Sequence, residues 1–389
     1  MGLSMRRRLL RTTVIVLAIC MTGCGLYGSD KVTVPSSSAA PAIRGADIST
    51  TLLDEAAGNV LSADGKEQPI ERILVGAGAN YVRLHLWIDP PPGYFDEETA
   101  LTLARRATAA GMKIFLDLHY SDTWADPTLQ QTPPVWRDLD LKELSDRVFD
   151  YTRKVVTDFA RQGTPADMIQ IGNELSSGFL WPLGKLDATA PGGGWLGFLT
   201  LLRSGVAGAQ AGNPTGHRLS TAIHTARIGE PDAAHEFFDQ ISAAGIPFDV
   251  IALSYYPFWA GSMSQLRDTM IDLSSKYRKE IMVTETAYPW TLRGDRANLA
   301  LKHRNQLPDA DRFPPSPTGQ AAYFAALRDL IAQVPEGRGV GFFAFEPGWL
   351  PGVGAHPGQD AAPYTNLTMF DYDGEALPSI KVAFAPPTN

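Results

Sequence analysis

Two glutamates stand where a carboxylate is otherwise expensive to keep. Glu174 closes the run Ile169-Gln170-Ile171-Gly172-Asn173, and Glu285 closes Ile281-Met282-Val283-Thr284. A charge at the end of an apolar strand has to be paired or used. Cleavage of a glycosidic bond needs two carboxyl groups flanking it. One is kept protonated to give its proton to the leaving oxygen, and the other attacks the sugar or activates water. Structural salt bridges, to Arg83 or to another base, would also place carboxylates at strand ends. Spacing alone leaves both readings open.

The elements that would bring the two together are legible from periodicity. From Ile43 onward, short apolar runs alternate with longer helical patterns, which argues for βα units and a parallel sheet. Eight strands are expected, at Arg44–Ser49, Tyr81–Leu86, Lys113–His119, Met168–Asn173, Leu219–His224, Val250–Ser254, Ile281–Glu285 and Val340–Phe345. Between them, Leu141, Leu144, Val148, Tyr151, Val155 and Phe159 make one helical stripe that stops at Gly163. A second helix begins after Asp96 with Glu97-Glu98 in its first turn and ends at Gly111. A third carries Phe324, Leu327, Ile331 and Val334. No Gly-rich phosphate turn follows the first strand, so the α/β class is read as a (β/α)8 TIM barrel rather than a doubly wound sheet. Residues 43–389 form one catalytic domain, with no shift in composition that would mark an appended module.

In such a barrel, functional groups gather at the C-terminal ends of the strands. Those ends here are polar, acidic or aromatic: Arg83 to Trp87, Asp117 to Asp122, Asn173-Glu174, His224, Tyr255-Tyr256 and Glu285. All eight tryptophans, at 87, 124, 136, 181, 195, 259, 290 and 349, lie at or beyond strand ends. A single indole is often simple packing. A cluster of them beside a wet cleft suits sugar rings, whose C–H faces pack on aromatic planes while hydroxyls reach polar neighbours.

The composition sets the wider bounds. The chain has 389 residues, 44% of them hydrophobic and 20% charged, which is enough to build a core. Its net charge of −8 offers no surplus of cations for a phosphate backbone, so nucleic acid is not an expected partner. Both cysteines, Cys20 and Cys24, fall in a leader at residues 1–24, which leaves the body without a disulfide or a thiolate nucleophile. The leader opens with Arg6, Arg7, Arg8 and Arg11, a run that also resembles a twin-arginine signal. Its apolar stretch, Val14 to Met21, is eight residues, short of the roughly 20 that a spanning helix needs. Export is therefore expected. Met21-Thr22-Gly23-Cys24 resembles a bacterial lipobox, which would make Cys24 a lipidated N-terminus and the membrane contact a lipid anchor. An ordinary signal cleaved nearby, with free secretion, is the alternative. Residues 25–42, with Pro35-Ser36-Ser37-Ser38-Ala39-Ala40-Pro41, read as a flexible tether.

Longer motifs then become recognisable. Leu116-Asp117-Leu118-His119-Tyr120-Ser121-Asp122-Thr123-Trp124-Ala125-Asp126-Pro127 with Gln130, Pro133 and Trp136, and Gln170-Ile171-Gly172-Asn173-Glu174 with Leu180-Trp181-Pro182, resemble the signature of glycoside hydrolase family 53, the endo-β-1,4-galactanases. So do Ser254 to Trp259, Glu285-Thr286-Ala287-Tyr288-Pro289-Trp290, Gly45-Ala46-Asp47-Ile48-Ser49 and the closing Asn366, Phe370, Asp371, Gly374, Leu377, Pro378 and Ser379.

The resemblance implies a clan A barrel that acts with retention on neutral β-1,4-galactan, the side chain of type I arabinogalactan. Glu174 matches the family's acid/base and Glu285 its nucleophile. It implies further that Asn173 bonds the 2-hydroxyl of the cleaved sugar, and that Tyr256 and Arg83 hold Glu285. His119 would tune that network or be a packed strand residue. Asp126 would bind a substrate hydroxyl or order its own loop, and His224 is equally open. Trp87, Trp124, Trp290, Trp349 and Phe345 complete the expected sugar contacts. Two departures concern the pocket: Ala260 stands where the family often has His before Gly261, and Phe345 where a Trp commonly precedes Glu346-Pro347. Some relatives bind calcium in the loop corresponding to Thr291–Pro317, but no alternating series of oxygen ligands is visible there. No cofactor is expected, and the enzyme is expected to act as a monomer. Other clan A activities, of mannanase or cellulase type, and a non-catalytic glycan-binding lipoprotein are the competing readings, because a fold does not determine a substrate.

Overall fold

The computed structural model describes residues 40–187, 189–190, 192–294, 299–357 and 364–387. The leader with Cys24, the tether up to Ala39, and Asp295 and Arg296 lie outside them. The strands are β1 (Ile43–Asp47), β2 (Ser62–Ala63), β3 (Lys66–Glu67), β4 (Tyr81–Leu86), β5 (Lys113–Leu118), β6 (Met168–Ile171), β7 (Ser220–Thr225), β8 (Val250–Tyr255), β9 (Glu280–Thr286) and β10 (Gly339–Ala344). Eight of them close a parallel barrel in the order β1-β10-β9-β8-β7-β6-β5-β4, with β4 paired back to β1. The eight expected strands are all present, and their ends differ by at most two residues. The hairpin β2-β3 was not expected, since four residues around Asp64-Gly65 carry no apolar run. Its signal is the turn itself, with Asp64 and Gly65 both at positive φ.

Capping explains why the helices begin and end where they do. Asp140 accepts from the Glu143 amide and the Glu143 side chain accepts in return, opening the helix Leu141–Arg161. Asp96 caps the helix Glu97–Ala109 in the same way, from the Thr99 amide. Gly111 and Gly163 take up the positive φ that follows each helix end. The third stripe runs over Pro317–Ala332, so Val334 falls just beyond the helix.

Strand alternation divides the apolar residues between two cores. Leu84, Leu116, Ile169, Ile251 and their counterparts face the helices and form the large outer core. Ile43, Tyr81, Phe115, Met168, Ala222, Val250, Ala252, Met282 and Phe343 point inward and fill the lower barrel. Gly45 is obligatory in that plug, because a Cβ there would sit 2.2 Å from the Phe343 ring. Above the plug the inward positions turn polar, and Arg83 lies over the Phe115 ring at 5.7 Å.

Gly205 shows how tightly the outer layer is fitted. It lies in the helix Trp195–Gly212, and a Cβ would stand 2.5 Å from Ile171 Cγ2 and 3.0 Å from the Tyr120 hydroxyl. Gly205→Ala is expected to lower stability by about 1–3 kcal/mol despite alanine's better helix propensity, because the core cannot absorb the methyl without moving β6. The midpoint of urea unfolding checks it.

Candidate active site

The inward residues of β1, β5, β6 and β9 converge on Arg83 of β4, which is wholly buried. Its guanidinium reaches Asp117 Oδ2 at 2.8 Å, Glu285 Oε1 at 3.0 Å and Asp47 Oδ1 at 3.3 Å. It also donates to Gln170 Oε1 at 3.1 Å and Asn173 Oδ1 at 3.0 Å. Burial works against its charge, but Asp117, Asp47 and Glu285 together hold the guanidinium protonated above its ordinary range. Asp117 is correspondingly held well below the usual carboxylate range by Arg83 and His119, against the opposing effect of burial.

Glu285 is 6% exposed, and the Tyr256 hydroxyl donates to its Oε2 at 3.2 Å. One of its oxygens therefore faces a cation and the other a phenol. Burial, followed by the Glu285 charge, raises the Tyr256 hydroxyl well above its ordinary value, so the phenol stays a donor.

Glu174 leaves β6 through Gly172, at φ 80°, and itself takes the left-handed φ of 46°. Tyr120 after β5 and Glu346 after β10 also have positive φ, so backbone strain gathers at this end of the barrel. Burial and then the charge of Glu285 push the Glu174 carboxyl up to about 8, with Ser254 as a hydrogen-bond partner that partly offsets them. Two glutamates close enough to interact thus differ in their surroundings: one is held as an acid, while the other is clasped by an arginine and a tyrosine.

Asn173 is fixed from every side. Its amide donates to Ala125 O at 2.8 Å, and its Oδ1 also lies 2.9 Å from His224 Nδ1. His224 Nε2 meets Ser254 Oγ at 2.9 Å. His224 is fully buried, and burial together with Arg83 lowers it well below the ordinary histidine range. It supports Asn173 and Ser254 from behind. His119 is buried too, with Nε2 at 2.9 Å from Asp117 Oδ2 and Nδ1 accepting from the Ala125 amide at 3.2 Å.

A cleft of about 650 Å³ opens above these groups. Asn173, Glu174, Tyr256 and Glu285 form its floor, with Asp126, Trp124, Phe345 and Trp349 beside them. Trp124 stands 6.0 Å from Phe345 and 6.2 Å from Trp349, and Tyr364 lies 6.0 Å from Phe345, so one wall is continuously aromatic. Asp126 Oδ1 accepts from the Thr128 amide and hydroxyl and from the Leu129 amide, which orders the loop. The carboxyl nevertheless borders the cleft.

Of the expected aromatic sugar contacts, Trp87 and Trp290 fall outside the lining of this cleft. Trp87 is 1% exposed and packs against Phe95, Trp124 and His356; it backs the aromatic wall without facing the cleft. Trp290 lies outside the cleft lining and packs on Tyr372 at 4.7 Å. Both follow strand ends, but Trp87 is buried behind the wall and Trp290 packs on Tyr372 beyond the cleft lining.

Other cleft residues were missed by the sequence reading. Trp259 is 66% exposed at the rim, and Tyr364 and His356 come from the loop after β10. Only Trp259 carried a signal, as part of the Tyr255-Tyr256-Pro257-Phe258-Trp259 run. Asp47, His85, Asp117, Gln170 and Glu346 complete the buried polar layer. Asp47 and Glu346 obey the rule that singled out Glu174 and Glu285, a carboxyl at the end of an apolar strand.

Among the described residues, His85, Asp117 and His119 bring ligand-type atoms within 4.8 Å of one another. Arg83 already supplies positive charge at the same Asp117 oxygen. In the loop after β9, Asp309 accepts from the Met263 amide and Asp311 pairs with Arg304.

The sequence profile described as glycosyl hydrolase family 53 matches residues 43–383. The chain belongs to this family. It is 35% identical over 353 residues to the probable arabinogalactan endo-beta-1,4-galactanase A of Aspergillus tubingensis, covering 89% of this chain and 95% of that one. Among solved structures, the GH53 catalytic domain of Ignisphaera aggregans superposes with a TM-score of 0.82 at 32% identity, over 89% of this chain and 96% of that domain. A structure reported for two fungal beta-1,4-galactanases gives 0.77 at 31% identity, over 89% and 99%. A GH10 protein of Paenibacillus barcinonensis, at 16% identity and a TM-score of 0.57, shares the fold alone. Membership makes the protein a glycoside hydrolase with a polysaccharide-type cleft. No helix of the described residues is long and apolar enough to cross a membrane.

Proposed function

We propose that this family 53 enzyme is a retaining endo-β-1,4-galactanase, with Glu174 as acid/base and Glu285 as nucleophile. Glu285 attacks the anomeric carbon while Glu174 protonates the departing oxygen. Water then releases the sugar, with Glu174 acting as base. Arg83 and Tyr256 hold the attacking oxygens in place, and Asn173 meets the 2-hydroxyl of the cleaved sugar. Trp124 and Phe345 take the faces of the galactose rings, and Trp349, 1% exposed with its indole N–H bonded to Val353 O, backs them. Two carboxyl groups supply both halves of the chemistry, so this reading calls for no cofactor. The galactanase names of the relatives and the aromatic wall support galactan as the substrate. The export leader supports action outside the cytoplasm, either anchored through lipid on Cys24 or freely secreted, by a monomer.

One observation carries the chemistry: Glu174 and Glu285 share a cleft floor, and the first keeps its proton up to about pH 8 while the second is bound by Arg83. Residues 43–389, given β-1,4-galactan, β-mannan and β-glucan in parallel, are expected to release oligosaccharides from galactan. Products from mannan or glucan instead would transfer the same mechanism to another clan A substrate. No products from any of the three, with the protein folded, would leave only binding.

A further inference from the structure

Beneath the nucleophile lies a second group of ionisable side chains that the proposed mechanism does not use. His85 Nδ1 is 2.7 Å from Asp117 Oδ2, the oxygen that also receives Arg83, so this nitrogen is the protonated one. Its other nitrogen, Nε2, then presents a lone pair. That lone pair faces two carboxyl oxygens, Asp47 Oδ1 at 3.6 Å and Glu346 Oε1 at 3.7 Å. Two carboxylates and a lone pair that meet in a fully buried space repel one another, and the repulsion eases when one of the carboxyls takes a proton and loses its charge.

Hydrogen bonding indicates which one does. Glu346 accepts from the Ser49 amide at 3.0 Å, the Thr50 amide at 3.2 Å and the Thr50 hydroxyl at 2.8 Å, a donor set suited to an anion. Asp47 receives only Arg83, at 3.3 Å, the longest of that guanidinium's three ion-pair contacts, and its Oδ2 is buried without a partner. The charged and titratable groups around Asp47 are Arg83 and His85 on β4, Asp117 on β5, Glu285 on β9 and Glu346 after β10. All of these except the arginine and the histidine are acids.

We propose that Asp47 is a positioning residue held as a neutral carboxylic acid, which orients Arg83 through its carbonyl oxygen and leaves the guanidinium's charge to Asp117 and Glu285. Electrostatics agree with the geometry. Burial, followed by the charges of Glu346, Glu285 and Asp117 against that of Arg83, raises Asp47 well above the usual carboxylate range. His85 is driven down to about 3 chiefly by burial, so it does not take the proton. An ionised Asp47 would instead compete with the nucleophile for the Arg83 guanidinium. The inference rests on Glu285 as the attacking group, and its test separates the two claims.

Asp47→Ala removes the oxygen that aligns Arg83 and is expected to lower kcat on galactan about a hundredfold, with KM little changed. Asp47→Asn keeps a neutral carbonyl at the same place and should restore most of that loss. An asparagine variant as poor as the alanine one, with wild-type circular dichroism and Tm, would overturn the proposal, because the negative charge would then be what Arg83 needs. Should neither variant fold, infrared spectroscopy of the Glu174→Gln protein decides. At about pH 9, well above the value of about 7 to which Glu346 and Asp54 are raised, a protonated-carboxyl band is expected, and its absence would overturn the proposal. Inactivity of Glu285 variants bears on the nucleophile alone and leaves this readout unchanged.

Discussion

Glu285→Ala is expected to abolish galactan cleavage, with a fall in kcat of about four orders of magnitude or more, because in the proposed mechanism Glu285 forms the glycosyl-enzyme bond. The fold should survive. The substitution removes one carboxylate from the set around Arg83, whose charge remains compensated by Asp117 at 2.8 Å. Turnover measured by reducing ends, with Tm as a control, checks it. A loss of only a few-fold in a folded protein would place the nucleophile elsewhere. The same variant tests the electrostatic link between the two glutamates. After burial, the charge of Glu285 is the next largest influence raising Glu174, so its removal should lower the Glu174 carboxyl from about 8.

Glu174→Gln is expected to slow galactan hydrolysis by about 10²- to 10⁴-fold while sparing the first step on aryl galactosides with good leaving groups, which need little protonation. Equal losses on both kinds of substrate would remove Glu174 from the acid role. The sign of the pH dependence follows from the same carboxyl. Its folded value, about 8, lies above the ordinary 4.5, so the proton-donating form prevails below about 8 and is lost as pH rises through it. Wild-type kcat/KM should therefore fall on that alkaline side, and the fall should vanish in Glu174→Gln with an activated substrate. Stability has a related window. Between about 4.5 and 8 the native state holds a proton that the unfolded chain releases, so stability declines with rising pH across that range. The glutamine variant should be more stable than wild type at about pH 8 and lose this advantage near pH 5.

The wide legibility of the fold follows from local physics. Each barrel strand is a short apolar run bounded by turn residues, and each helix carries its own stripe and cap, as with Asp140 and Glu143. The hairpin β2-β3 escaped notice because a two-residue strand has no periodicity to read. At the site, Glu174 and Glu285 were legible because a carboxylate after an apolar run is costly wherever the strand ends. Asp47 and Glu346 carried the same signal but lay outside the roles that the family resemblance supplied. Trp87 was misplaced for a different reason: position after a strand end says that a ring is near the opening, but not that it is exposed there.

Sequence by itself determined the barrel and the end at which polar groups gather, while the family resemblance, and not periodicity, singled out the two glutamates as a catalytic pair with Asn173, Arg83 and Tyr256 beside them. Pleating and helical periodicity are local properties, and each residue's side of the sheet can be counted from its neighbours. Tertiary structure alone decided that one guanidinium serves Asp47, Asp117 and Glu285 together, that burial and the nearby charge of Glu285 raise Glu174, and that Trp259, Tyr364 and His356 border the cleft. These depend on barrel closure, which brings inward side chains from distant segments of the chain onto one axis. There the burial of each charge is set by residues it never adjoins in sequence.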